Sequence, residues 1–177
     1  MKPRGKVLIS LIAVLVPLFG IVQLGGVKKK AESLPFIHDI TTDTQNPPQF
    51  SEAILSERAK TPNVNTVDYT GKQDPRSKTL VSVLQTKSYP DIRPVILEDS
   101  PEVVLGQAKV VAKNMGWKLV SEDVDAGRIE ATETTFWYGF KDDIVIRVKP
   151  SEGGGTVLDI RSISRVGGSD LGANAAR

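Results

Sequence analysis

An α+β domain behind a membrane-spanning helix is the architecture this 177-residue sequence predicts, and three observations carry it. Residues 7–27 hold no charge. Ser100-Pro101-Glu102 opens a run with helical apolar spacing, and four alternating segments separated by short turn sequences follow it as far as residue 166. Together they give a two-layer domain, an antiparallel sheet of about four to five strands with one long helix packed on a face.

The first element is the run VLISLIAVLVPLFGIVQLGGV, residues 7–27. As a helix it measures about 31 Å, the thickness of a bilayer core. Lys2, Arg4 and Lys6 make a basic start that a cleaved signal peptide would share. The run, however, exceeds the ~7–15 residues of a signal core, and Lys28-Lys29-Lys30 stands where small residues would precede a cut. Residues 1–30 therefore read as a retained anchor with basic flanks. Three basic residues on each side nearly balance the positive-inside rule. The free amino terminus tips it toward a cytoplasmic start and a periplasmic domain held at the inner membrane. The chain has no Cys, which excludes a lipidated cysteine and disulfides.

Charge bears on partner class. The whole chain is +2, but residues 1–30 hold six basic and no acidic residues, leaving 17 basic against 21 acidic for the rest. The domain is mildly acidic and lacks the electrostatic footprint of a nucleic-acid binder.

Residues 31–79 are polar and punctuated by Pro47-Pro48, Pro62 and Pro75, which bar a long helix or a central strand. Phe36, Ile37, Ile40 and Phe50 are too many apolar residues for a free tether, so this stretch reads as an extended arm lying along the domain, with a helical patch at SEAILSERAK. Residues 80–177 form the domain proper. TLVSVLQT reads as a strand or a helical turn, and RPVILED as a short strand. Ser100 as N-cap and Pro101 at the first helical position begin a helix over 101–115, with Val103, Val104, Ala108, Val111, Ala112 and Met115 as the stripe to be buried and Gly116 as its stop. WKLVSED, RIEATETTFWY, DDIVIRVKP and TVLDIRSISRV then read as consecutive strands, turning at 125–127, 139–142 and 152–155. Ile144, Ile146 and Val148 share one face and Val145, Arg147 and Lys149 the other, so one face packs on the helix and the other is polar.

The chain ends on SRVGGSDLGANAAR. Its spacing matches neither GxGxxG nor GxxxxGK[ST], and it follows an antiparallel strand rather than opening a βαβ unit. It reads as a glycine turn at Gly167-Gly168, a cap at Ser169 or Asp170, and a helix beginning at Asp170.

The segments IEATETTFWYGFKDDIVIRV and LDIRSISRVGGSDLGANAAR, with FIHDITTDTQNPPQF upstream, resemble the bacterial domain-of-unknown-function family numbered 1499. The resemblance runs from about residue 34 to the end. It implies no established activity. It implies a domain behind a signal sequence or membrane helices, and a tail that runs on as a helix beyond Arg177.

Three constellations are candidates for chemistry. Glu130, Arg147, Arg161 and Arg165 lie at alternate strand positions, where the guanidiniums could hold a carboxylate or phosphate or form cross-strand ion pairs. His38, Asp39 and Asp43 could hold a metal or form an acid–base pair, but a single His without Cys reads better as a turn capped by the two aspartates. Trp137, Tyr138 and Phe140 cluster at a hairpin end, where those left outside the core mark a partner or lipid contact. No pattern calls for a cofactor, and no serine sits in a nucleophile elbow. The reading is a non-catalytic binding or structural module, anchored in the bilayer through residues 7–27, acting as an accessory subunit of a membrane protein assembly. The alternative is a ligand-binding or hydrolytic enzyme that uses the Arg-rich face for an anionic group.

Overall fold

The computed structural model describes residues 34–135 and 138–177. The anchor segment 7–27 and the expected Lys28–Lys30 flank lie outside them, as do Phe136 and Trp137. Among the described residues no helix is long and apolar enough to cross a membrane.

Pro35–Arg177 fold as one α+β unit around a six-stranded, wholly antiparallel sheet. In chain order come β1 (Asp39–Thr41), α1 (Glu52–Ala59), α2 (Val81–Ser88), β2 (Val95–Leu97), α3 (Pro101–Asn114), β3 (Lys118–Asp123), β4 (Arg128–Thr134), β5 (Lys141–Pro150), β6 (Thr156–Ser164) and a one-turn α4 (Ala173–Ala176). The meander β3 to β6 follows from period-2 alternation and short turns. The sixth strand, β1, comes from the arm.

Both β1 and β2 attach to the free edge of β6. Asp39–Thr41 pair with residues 161–163, and Val95–Leu97 pair with residues 156–158. Thr42 fills the gap between them: its N–H donates to the Ile160 carbonyl at 2.9 Å, and its Oγ1 accepts the Ile160 N–H at 3.0 Å. The outer edge of β1 is closed by the Gln85 amide. Gln85 Oε1 accepts the Thr41 N–H at 3.1 Å, and its Nε2 donates to the Thr41 carbonyl at 2.6 Å. An exposed row of unpaired backbone groups is thereby removed. Gln85 is held by α2, so the segment that could be read as a strand or a helical turn is helical, and it presents this amide.

The α3 face of the sheet holds Val104, Leu105, Ala112, Trp117, Ile129, Ala131, Ile144, Ile146 and Val148. The buried line along α3 runs through Val104, Leu105, Ala108 and Ala112, whereas Val103, Val111 and Met115 of the expected stripe are exposed, as is Val110. The apolar arc of this helix is wider than one sheet face can cover, so the spacing alone could not say which part is buried.

The opposite face is not solvated. The arm crosses it, and Phe50 and Ile54 pack with Val145 and Ile163 in a second apolar cluster joined by Val67 and Val120. A β-bulge between Leu119 and Ser121 turns both Val120 and Ser121 toward this side, since Leu119 still opposes Ala131 while Ser121 opposes Glu130. The expected two-layer domain is thus a three-layer one. Strand β4 also stops at Thr134, short of the expected Tyr138.

In the tail, Gly167 takes φ +91° as the turn requires. Gly168 lies flat against the Phe36 ring, and a Cβ there would come within 2.5 Å of that ring. Asp170 caps the turn by accepting the N–H groups of Gly172 at 2.8 Å and Asn174 at 2.9 Å. The helix starts at Ala173 rather than Asp170, because Leu171 and Gly172 are both left-handed, at φ +53° and +83°.

Candidate functional site

Three sets of residues could carry function, and the structure treats them differently. On the arm face Arg161 is fully buried. Its Nε donates to Asp39 Oδ1 at 3.0 Å and its Nη2 to Asp39 Oδ2 at 2.8 Å, a bidentate pair. Nη1 donates to the Pro48 carbonyl at 3.1 Å, and Nη2 also reaches the Val67 carbonyl. The rings of Phe50 and Tyr69 flank the guanidinium, with centroids 5.3 and 5.6 Å away. Every nitrogen of Arg161 therefore has an internal acceptor.

Arg165 is held in the same manner. Its Nε and Nη2 donate to the two oxygens of Asp143 at 2.9 and 2.8 Å, and its Nη1 to the Glu57 carbonyl at 3.3 Å. Asp143 also accepts Arg58 Nη1 at 2.8 Å and Thr132 Oγ1 at 2.7 Å. Burial pushes the Arg58 guanidinium below its usual range, and the neighbouring Asp143 opposes that shift. Arg147 pairs with Asp159 at 2.7 Å and with Asp43 at 3.1 Å. Among the described residues Glu130 has no cationic partner: it accepts the Ser51 N–H at 2.5 Å and the hydroxyls of Ser51 and Ser121, so it meets α1 at its N-terminal end.

The three sheet arginines consequently do not converge on one anion site. Each is committed to its own carboxylate, and Arg161 pairs with Asp39 of the arm. Reasoning on strand alternation missed Asp39, Arg58 and Asp143. The signal was present for Arg58, which stands four residues after buried Ile54 on the same side of α1, and for Asp143, which opens an apolar strand.

His38, Asp39 and Asp43 do not gather. Among the described residues no group of three or more His, Asp or Glu could hold a metal ion. Asp39 is a strand residue bound to Arg161, and only Asp43 caps a turn, accepting the N–H groups of Gln45 and Asn46 at 3.1 and 2.9 Å. His38 instead joins the arm to the tail. Its Nε2 lies 3.0 Å from Lys72 Nζ and its Nδ1 3.4 Å from the Gly168 carbonyl, an arrangement that a neutral ring protonated on Nδ1 satisfies at both ends.

Burial first, and then the Lys72 charge, lower the His38 pKa from its ordinary 6.5, while Asp39 and Asp170 oppose the shift. A folded-state pKa below the unfolded one means that the unfolded chain takes up the proton more readily. The stabilisation is therefore complete above the unfolded value and is lost as pH falls through it toward the folded one. Urea denaturation at about pH 7.5 and about pH 5.5 is expected to show wild type losing stability on acidification and His38→Gln losing less. Equal losses in the two proteins would remove His38 as the cause.

The third set is apolar and exposed. Beside α3 two adjoining hollows of about 230 and 210 Å³ share Trp117, Ile160 and Arg177. Val111, Met115, Leu97 and Leu158 line one of them, and Ile92, Arg93 and Ala175 line the other. Here the sheet extends beyond the helix that covers it. At the β4–β5 end Tyr138 and Phe140 stack with centroids 5.7 Å apart, and both are exposed. Trp137, the third residue of that expected patch, lies outside the described residues.

The family model described as "Protein of unknown function (DUF1499)" matches residues 39–177, from the first residue of β1 through every element of the sheet. No curated protein matches the sequence.

Proposed function

The chain belongs to the DUF1499 family, and on that premise we propose that it is a membrane-anchored, non-catalytic binding module, an accessory subunit of a larger membrane assembly with its domain on the periplasmic side. The observation that carries this reading is the apolar surface left uncovered along α3. Val103, Val110, Val111 and Met115 are exposed, and Val111 and Met115 line a groove together with Leu97 and Leu158. Exposed apolar side chains beside an apolar groove on a folded domain mark a contact site. The buried charges support the same reading, since Arg161, Arg165 and Asp143 are taken up in holding the arm to the sheet.

A photoreactive residue at position 111 in the full chain, irradiated in intact membranes, is expected to give a discrete adduct with another membrane protein. Val103→Lys/Val110→Lys should reduce that adduct severalfold without lowering the melting temperature. The chain should stay with the membrane through an alkaline wash and be digested by protease added to spheroplasts. A soluble protein trimmed beyond Gly26, or a position-111 probe that yields no adduct, would overturn the proposal.

A further inference from the structure

At the β4–β5 end of the sheet three large apolar side chains stand outward together: Tyr138 is 79% exposed, Phe140 53% and Leu171 57%. All three line one cleft of about 410 Å³, open between the hairpin and the 166–173 loop. We propose that this end of the domain, with Tyr138 and Phe140 on one side of the cleft and Leu171 on the other, seats in the lipid–water interface of the bilayer that anchors the chain. The proposal rests on the membrane anchor read for residues 7–27.

The exposure is built into the backbone. Thr135 accepts the Phe140 N–H on its hydroxyl at 2.9 Å, its own N–H donates to the Phe140 carbonyl at 2.8 Å, and its carbonyl accepts the Gly139 N–H at 3.0 Å. Across the cleft, Leu171 is held outward in the left-handed region, φ +53°, a conformation uncommon for a side chain without a local polar group. Its N–H donates to Ser169 Oγ at 3.2 Å, and Asp170 ties the next turn.

Connectivity singles out this end. The chain enters the domain at Pro35 and Phe36, and the Phe36 ring lies on Gly168, within the loop that forms one wall of the cleft. Val27 to Pro35 is eight residues, which span at most about 29 Å when extended. A short tether gives a weak contact a high effective concentration.

The chemistry fits an interface better than a protein partner. Aromatic side chains with a polar tip, such as Tyr and Trp, settle at headgroup level. Three exposed apolar side chains beside a cleft offer too little surface for a stable protein contact, which needs about 800 Å² on each partner. Asp142 and Asp170 also line the cleft, but Asp142 is paired with Arg177 and Asp170 with backbone N–H groups. The contact thus depends on apolar seating rather than on anionic lipid.

The absence of Cys makes the test direct. Full-length chain carrying a fluorophore at Leu171→Cys, or at Val124→Cys in the β3–β4 turn at the other end of β4, is reconstituted in phosphatidylcholine vesicles with brominated acyl chains. Quenching at position 171 is expected to exceed that at position 124 severalfold, and Tyr138→Ser/Phe140→Ser should abolish the difference while the chain still floats with the vesicles. Floating vesicles with equal, low quenching at both positions would overturn the seating and leave the anchor standing, and would assign the tip to a protein if position 171 then crosslinked to one in native membranes. A chain that fails to float would overturn the anchor and this placement with it.

Discussion

Arg161→Ala is expected to destabilise the domain by about 3–5 kcal/mol, because it leaves the Asp39 carboxylate buried without its partner and strands the Pro48 and Val67 carbonyls. For a domain of this size that is a fall in melting temperature of roughly 10–15 °C. Arg161→Met/Asp39→Leu should recover much of the loss, since removing both charges avoids the unpaired ion. Phosphate or a small carboxylate should restore nothing. An Arg161→Ala protein of unchanged melting temperature that had lost affinity for a small anion would instead make this face a ligand site.

Asp143→Ala is expected to cost a similar amount, about 3–5 kcal/mol, and more than Arg58→Ala. Asp143 is fully buried between two guanidiniums, and removing it leaves Arg58 and Arg165 facing each other without a counter-charge. Removing Arg58 instead leaves a matched pair of Arg165 with Asp143. Urea denaturation at constant m-value should rank the variants in that order. Because Arg58 belongs to α1 and Asp143 to β5, the lost contact should also appear as faster hydrogen exchange over residues 52–59 before the sheet is affected. An Asp143→Ala protein as stable as Arg58→Ala would mean that the second guanidinium is not restrained by this carboxylate.

The groups in these two predictions show where a linear reading stops. Arg161 and Asp39 are 122 positions apart, and Arg58 and Asp143 are 85 apart. Alternation placed Arg147, Arg161 and Arg165 on one strand face, and Tyr138 and Phe140 at a hairpin end, because side-chain direction in a strand is a local property. It could not say what lies over that face. A row of charges on a strand has the same period whether water covers it or an arm does.

By itself the sequence determined the meander β3–β6, the helix between Ser100 and Gly116, and the positive φ in the tail turn. Each rests on interactions within a few residues: period-2 patterning, proline at a helix start, glycine where a Cβ is penalised. Only the tertiary structure decided that β1 and β2 share one edge of β6, that the bulge at Val120 turns Ser121 toward Glu130, and that Val104 and Leu105, not Val111 and Met115, meet the sheet. Strands of three residues are too short to show a period, and a helix whose apolar arc exceeds one face does not specify which part is covered. Both are settled by long-range pairing and burial, through which the arm closes over the buried charges and leaves the apolar flank of α3 exposed.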